Sequence, residues 1–231
     1  MSEEIIHQPA EGEALSIVET WIKALTSPTE ETYTKIAKDP GASLGKAILW
    51  IFLAGLVGSL ISGVFTSVFG TAFVPFGEEV FPTTFTEQSF GSIILCSPVA
   101  GILTVLSSLI ATGIVYVFAK MLGGIGTYER LFYTFAAYQV PLGLVTSVLG
   151  GIPIIGCLSL VLIIYGLVLN VIATKAVMEF DWGKAVISSI VIPIVIVIVL
   201  VGCFFLFFIG ILGPTIGNIF EGITENLNTM P

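Results

Sequence analysis

Catalysis and metal binding need groups that attack, carry protons or coordinate, so the single histidine, the three cysteines and the carboxylates of this 231-residue chain are the first residues to weigh. His7 lies in the polar N-terminal segment, which leaves no Ser–His or Cys–His pair for the apolar segments. Cys96, Cys157 and Cys203 stand in or beside apolar runs with no histidine or carboxylate near them in sequence, and they read as small buried hydrophobes. A zinc or di-iron centre has no ligand set, so no cofactor and no metal is expected. Gly123-Gly124-Ile125-Gly126 is glycine-rich, but it lacks the GxxxxGK[ST] form and no strand precedes it. It reads as a flexible turn rather than a phosphate cradle. The expectation is a protein that is not an enzyme. A net charge of −8 also offers no footprint for nucleic acid.

The polar groups inside the apolar runs are neutral. Gly55, Ser59 and Gly63 recur every four residues, a small-xxx-small ridge that lets helix backbones approach closely. Gly166, Asn170 and Thr174 form a similar stripe, with Asn170 an amide that must find a partner. Gln139 and Pro141 share a third run, where the proline frees a backbone carbonyl for a neighbouring helix or a ligand. Two readings follow: helix packing, or the lining of a path for a small solute.

These residues sit in a chain that is 55% hydrophobic and 10% charged, with a mean hydropathy of +1.05. Soluble domains carry about 25% charged residues, so a water-soluble globule is excluded. Residues 47–77, 88–119, 131–174 and 185–220 contain no Asp, Glu, Lys or Arg, giving gaps of 31, 32, 44 and 36 residues. A crossing helix needs roughly 20 apolar residues. The 44-residue gap is too long for one crossing and is broken by Gly150-Gly151-Ile152-Pro153, so it must fold back as a hairpin. The expected fold is an all-α, polytopic transmembrane helical bundle with five spans, near 47–70, 97–120, 131–149, 152–174 and 185–210. The β-branched run in the fifth span is still expected to be helical, because a lone strand would leave its backbone groups unsatisfied in lipid.

Lys and Arg are enriched on the cytoplasmic side of membrane proteins. Lys23, Lys35, Lys38 and Lys46 precede the first span, Lys120 and Arg130 bracket one loop, and Lys175 and Lys184 bracket another. The intervening loops and the C-terminal segment hold none. Five spans with the N-terminus in the cytoplasm and the C-terminus outside place every basic residue inside. Without the crossing at 131–149, Lys175 and Lys184 would lie outside. Trp50, Trp182 and Tyr116 fall near the same ends, where amphipathic rings favour the headgroup level. The domain division expected is a cytoplasmic tail over 1–45, a membrane domain over 46–213 and a short polar outer tail over 214–231.

Within the tail, Leu15, Val18, Ile22 and Leu25 recur at helical spacing with Trp21 beside them, predicting an amphipathic helix over 13–25 whose apolar face needs a partner. Ser27-Pro28-Thr29-Glu30 predicts a capping box opening a second helix near 28–38, stopped by Asp39-Pro40-Gly41. The tail shows neither the n-region nor the h-region of a signal peptide.

The ordered set of features resembles the YIP1 (Yip1-domain) family of five-span membrane proteins, especially its prokaryotic members. Trp21-Ile22-Lys23-Ala24-Leu25-Thr26-Ser27-Pro28-Thr29-Glu30-Glu31-Thr32-Tyr33 is similar to their pre-membrane segment. Gly123-Gly124-Ile125-Gly126-Thr127-Tyr128, followed by Ala137-Tyr138-Gln139-Val140-Pro141, is similar to their loop and third span. The resemblance implies membrane organisation or protein recruitment through the tail. The Asp-Leu-Tyr-Gly-Pro motif of eukaryotic relatives is absent, so their GTPase binding is not carried over. The expected partners are the lipid bilayer and other membrane proteins or further copies of the chain, and the expected location is the cell membrane of a prokaryote. A small-solute transporter or channel is the competing expectation.

Overall fold

A computed structural model describes residues 15–69, 90–150 and 158–209, all helical apart from short connections. Two short helices, α1 (Ile17–Thr26) and α2 (Glu30–Ala37), precede four long ones: α3 (Leu44–Phe69), α4 (Phe90–Met121), α5 (Tyr128–Gly150) and α6 (Leu158–Met178). After Asp181 the chain enters α7 (Trp182–Val186), passes a π-helical turn (Ile187–Val191), and is helical again over 192–209. Five helical stretches are long and apolar enough to cross a membrane: Leu44–Phe65, Ile93–Met121, Tyr128–Leu149, Leu158–Met178 and Trp182–Ile209. Most begin or end a few residues outside the expected limits, because a helix continues past its apolar run into the charges that mark the boundary. The turn at Gly151-Ile152-Pro153 lies outside the described residues, as do the polar outer tail and the whole loop between α3 and α4.

The chain divides into two compact units, residues 1–190 and 191–231. In the second, 192–209 forms a helix despite its β-branched composition, as the cost of unpaired backbone groups in lipid requires. The first unit is organised around α5, which packs against α3, α4 and α6. Leu131, Phe132, Tyr133, Ala136, Ala137 and Tyr138 are all buried there. The outward surfaces of α3, α4 and α6 are apolar instead, with Leu53, Leu103, Ile110, Ile163 and Ile164 exposed. Helices apolar on every side bury one face in protein and offer the others to lipid. α5 has protein on most sides and so accommodates Thr134, Tyr138 and Gln139.

The π turn has a local cause. Ser188 and Ser189 both donate to the Ala185 carbonyl, at 3.2 and 2.6 Å, competing with the backbone ladder where the helix changes its winding.

Candidate functional site

The charged ends of the helices of the first unit converge. The backbone N–H of Leu44, at the start of α3, donates to Glu129 Oε1 on α5 at 3.0 Å. Lys120, closing α4, donates to the Ile125 carbonyl, and the Ile125 N–H donates to the Met178 carbonyl at the end of α6 at 3.1 Å. The Gly123-Gly124-Ile125-Gly126 connection is a turn, as the sequence predicts, but a pinned one. Gly123 has φ +93°, and a Cβ at Gly126 would stand 2.3 Å from the Val177 carbonyl oxygen. The belt residues lie at this end too: Lys46 is 5.9 Å from the Trp50 ring centroid, Lys120 is 5.7 Å from that of Tyr116 and Lys175 is 5.0 Å from that of Trp182.

The N-terminal helices are built into this end. Ser16 caps α1 by accepting from Glu19 N. α2 opens differently from expectation: Ser27 closes α1, its N–H donating to the Lys23 carbonyl, and Thr29 is the α2 cap, accepting from Thr32 N at 3.2 Å. Pro28 therefore precedes the cap instead of following it. Asp39 ends the pair: Oδ1 accepts from Gly41 N at 2.7 Å in an Asx turn, and Oδ2 accepts from Leu15 N at 3.1 Å, closing the two helices into one loop.

Three tyrosines lock that loop onto the spans. Tyr33 is fully buried; its hydroxyl donates to the Ala24 carbonyl at 2.9 Å, and its ring meets Tyr138 of α5 edge-on at 6.2 Å. Tyr165 of α6 donates to the Leu25 carbonyl. Burial pushes the Tyr33 phenol well above its ordinary range, and the phenols of Tyr138 and Tyr165 add to the shift, so Tyr33 stays a donor. Lys175, little exposed, pairs with Glu30, and Lys38 lies 3.7 Å from Glu179. The hydrogen bond and charge of Lys35 hold Glu31 below the usual carboxylate range on the solvent side of α2.

The predicted tail surface is divided by this packing. Leu15, Trp21 and Leu25 pack against the core, Trp21 meeting Trp50 edge-on at 5.7 Å, whereas Val18 and Ile22 point away and are exposed.

The predicted neutral polar residues are divided as well. Gly55 and Gly63 lie under α4, where added Cβ atoms would meet Thr104 and Ile93. Gly55, Ser59 and Gln139 line a cavity of about 380 Å³ between α3, α4 and α5, together with Ser62, Thr104, Ser108 and Ser147. Gly166 faces Leu142 of α5, and Thr174 is buried with its hydroxyl donating to the Asn170 carbonyl at 2.7 Å. Gly63, Gly166, Asn170, Thr174 and Pro141 do not line the cavity. The hydroxyls of Ser62, Thr104, Ser108 and Ser147 were not singled out in the sequence, since nothing in spacing alone says which helices face one another. Among the described residues no three His, Cys, Asp or Glu come together.

Residues 22–213 match the family model described as Yip1 domain. The chain belongs to the Yip1-domain family. No curated protein and no solved structure matches it. The matched region begins inside α1 and includes all of α2, so the Yip1 domain takes in the end of α1 and the whole of α2 along with the spans. This is a multi-pass membrane protein of YIP1 type.

Proposed function

We propose that this Yip1-domain protein acts without catalysis, organising the membrane or recruiting other proteins through its N-terminal helices. Its N-terminus would lie in the cytoplasm and its C-terminus outside, in the cell membrane of a prokaryote. The observation that carries this reading is the docking of α1 and α2 onto the spans through Tyr33, Tyr165 and Glu30, which holds the solvent side of α2 at a fixed height and angle at the charged end. Glu31 and Lys35 are the most exposed charges of α2, at 78% and 72%. A fixed polar surface suits recognition of a protein, whereas a loose tail would lose ordering entropy on every encounter. The absence of Asp, Glu, Lys, Arg and His from the interiors of the spans supports the non-enzymatic part.

Co-purification from native membranes in mild detergent tests the reading. Glu31→Lys with Lys35→Glu is expected to remove partners without loss of the inserted protein. A partner set identical to that of the natural chain would count against it. Deleting 1–40 is a poor test, because it strips Tyr33 and Ile36 from the core they share with α5 and α6.

The hydroxyl-lined cavity favours a second reading, a small-solute transporter or channel using Gln139 and Ser59. Purified protein in liposomes that moves no neutral or charged solute would remove it.

A further inference from the structure

α1 has three longitudinal sectors. At about 100° per residue, Thr20, Ala24 and Trp21 fall together, Val18, Ile22 and Leu25 occupy the next sector, and Glu19, Lys23 and Thr26 complete the circle. The first sector is turned into the protein, with Thr20 and Ala24 fully buried. The third is polar and satisfied within the helix, Lys23 pairing with Glu19 at 2.7 Å and Thr26 donating to the Ile22 carbonyl at 2.8 Å. The middle sector is apolar and open at Val18, 61% exposed, and Ile22, 55%, while Leu25 at its end packs on the core; Ile17, at the helix start, belongs to the first sector.

The depth of the helix decides what that sector meets. Trp21 contacts Trp50, which lies four residues past Lys46, about 6 Å into the apolar run of α3 at a rise of 1.5 Å per residue. Trp50 in turn lies 5.2 Å from the ring of Tyr133, three residues past Arg130 in α5. Leu25 is bonded by Tyr165, ten residues before Lys175 in α6. All three anchors lie on the membrane side of the charges that end these spans. Leu49, beside Trp50 on α3, and Leu53, one turn deeper, are exposed apolar residues.

From this geometry we propose that α1 is an interfacial helix wedged between the spans and the bilayer, with Val18 and Ile22 among the acyl chains of the leaflet at the basic end and Glu19 and Lys23 at its headgroups. An apolar face of such a helix sinks about 5–10 Å below the headgroups. Helices that reach a membrane from solution carry a basic face for anionic lipid. α1 is held in place by the chain and by Tyr165, so one lysine against one glutamate is sufficient, and its seating should not depend on lipid charge. The assignment is independent of protein recruitment: it gives the open apolar sector of α1 to lipid and leaves the charged side of α2 for proteins.

The test uses the full chain in phosphatidylcholine vesicles, with Cys96, Cys157 and Cys203 replaced by serine and an environment-sensitive fluorophore on Val18→Cys, Ile22→Cys or Glu31→Cys. Lipids carrying a spin label high on the acyl chain are expected to quench the Val18 and Ile22 positions several-fold more than the Glu31 position, with aqueous iodide giving the reverse order. Iodide quenching at Ile22 equal to that at Glu31 would overturn the proposal by placing the helix in water. Protection from both quenchers would overturn it too, by showing a protein cover such as a second copy. If the serine-substituted chain does not insert, a photoreactive residue at Ile22 in the otherwise natural chain reports the same contact. A lipid adduct supports the proposal; adducts confined to water or protein reject it.

Discussion

At the scale of single residues, the tightest constraint is Gly126. A methyl group there would overlap the Val177 carbonyl, and the connection cannot retreat while Ile125 donates to Met178. Gly126→Ala is expected to cost about 1–3 kcal/mol, in the range of buried steric substitutions, read as a lowered thermal midpoint in detergent. Gly143→Ala, which meets nothing within 4 Å, should leave that midpoint in place. The tyrosines give a second contrast. Tyr33 donates a well-formed buried hydrogen bond to a backbone carbonyl, whereas the buried Tyr138 hydroxyl makes no more than a poorly formed contact, with the Gln139 side chain. Tyr33→Phe should therefore destabilise by about 1 kcal/mol, while Tyr138→Phe should cost less, because the hydroxyl it removes has no well-formed hydrogen bond to lose. The sequence shows Tyr33 and Tyr138 only as aromatics in two segments. Their contact depends on α2 folding back, which spacing does not encode.

At the scale of elements, the docking of α2 depends on an unequal ion pair. Lys175 is 14% exposed and Glu30 51%, so the lysine relies on the pair more than the glutamate does. Glu30→Ala leaves a mostly buried ammonium without its carboxylate and with the Trp182 ring 5.0 Å away, and should cost about 1.5–3 kcal/mol. Lys175→Met frees a carboxylate that water can solvate and should cost less. Thermal unfolding of the two variants, with the double substitution to report coupling, checks the asymmetry. The element also has a pH signature. The phenol of Tyr33 titrates higher in the folded protein than the ordinary tyrosine value of 10.0. The folded state thus binds that proton more tightly, and stability falls as pH rises above about 10. Tyr33→Phe should flatten that alkaline decline; an unchanged slope would mean that another group carries it. How much of this was legible varies by helix. The existence of α1 and α2 followed from periodicity and caps, and Asp39-Pro40-Gly41 marked the stop. The cap moved from Ser27 to Thr29 because Ser27 already serves the end of α1. The apolar stripe Leu15, Val18, Trp21, Ile22 and Leu25 looked like one face because sequence shows periodicity without saying how much of the stripe the protein covers.

At the scale of the whole molecule, the least hydropathic of the five spans is the best buried one. Residues 131–149 carry Tyr133, Thr134, Tyr138 and Gln139, and α5 tolerates them because its neighbours are α3, α4 and α6. Hydropathy measures fitness for lipid, so it understates a helix surrounded by protein. The charges are the better guide: dropping this crossing would send Lys175 and Lys184 to the opposite side from Lys120 and Arg130. In the structure Lys120 bonds to Ile125, which bonds to Met178 three residues past Lys175, so α4 and α6 must end on one side, and α5 must cross to return the chain. An odd number of crossings separates the termini. Ser2→Cys and Thr229→Cys, each in a chain whose three cysteines are serine, should react with a membrane-impermeant maleimide from opposite sides of sealed spheroplasts. Thr229 should label directly, and Ser2 only after permeabilisation. Labelling of both from one side would break the odd count and with it the five-span topology. The reversed pattern would keep the fold and overturn only the cytoplasmic placement of the N-terminal helices, a placement that rests on eight basic residues avoiding translocation.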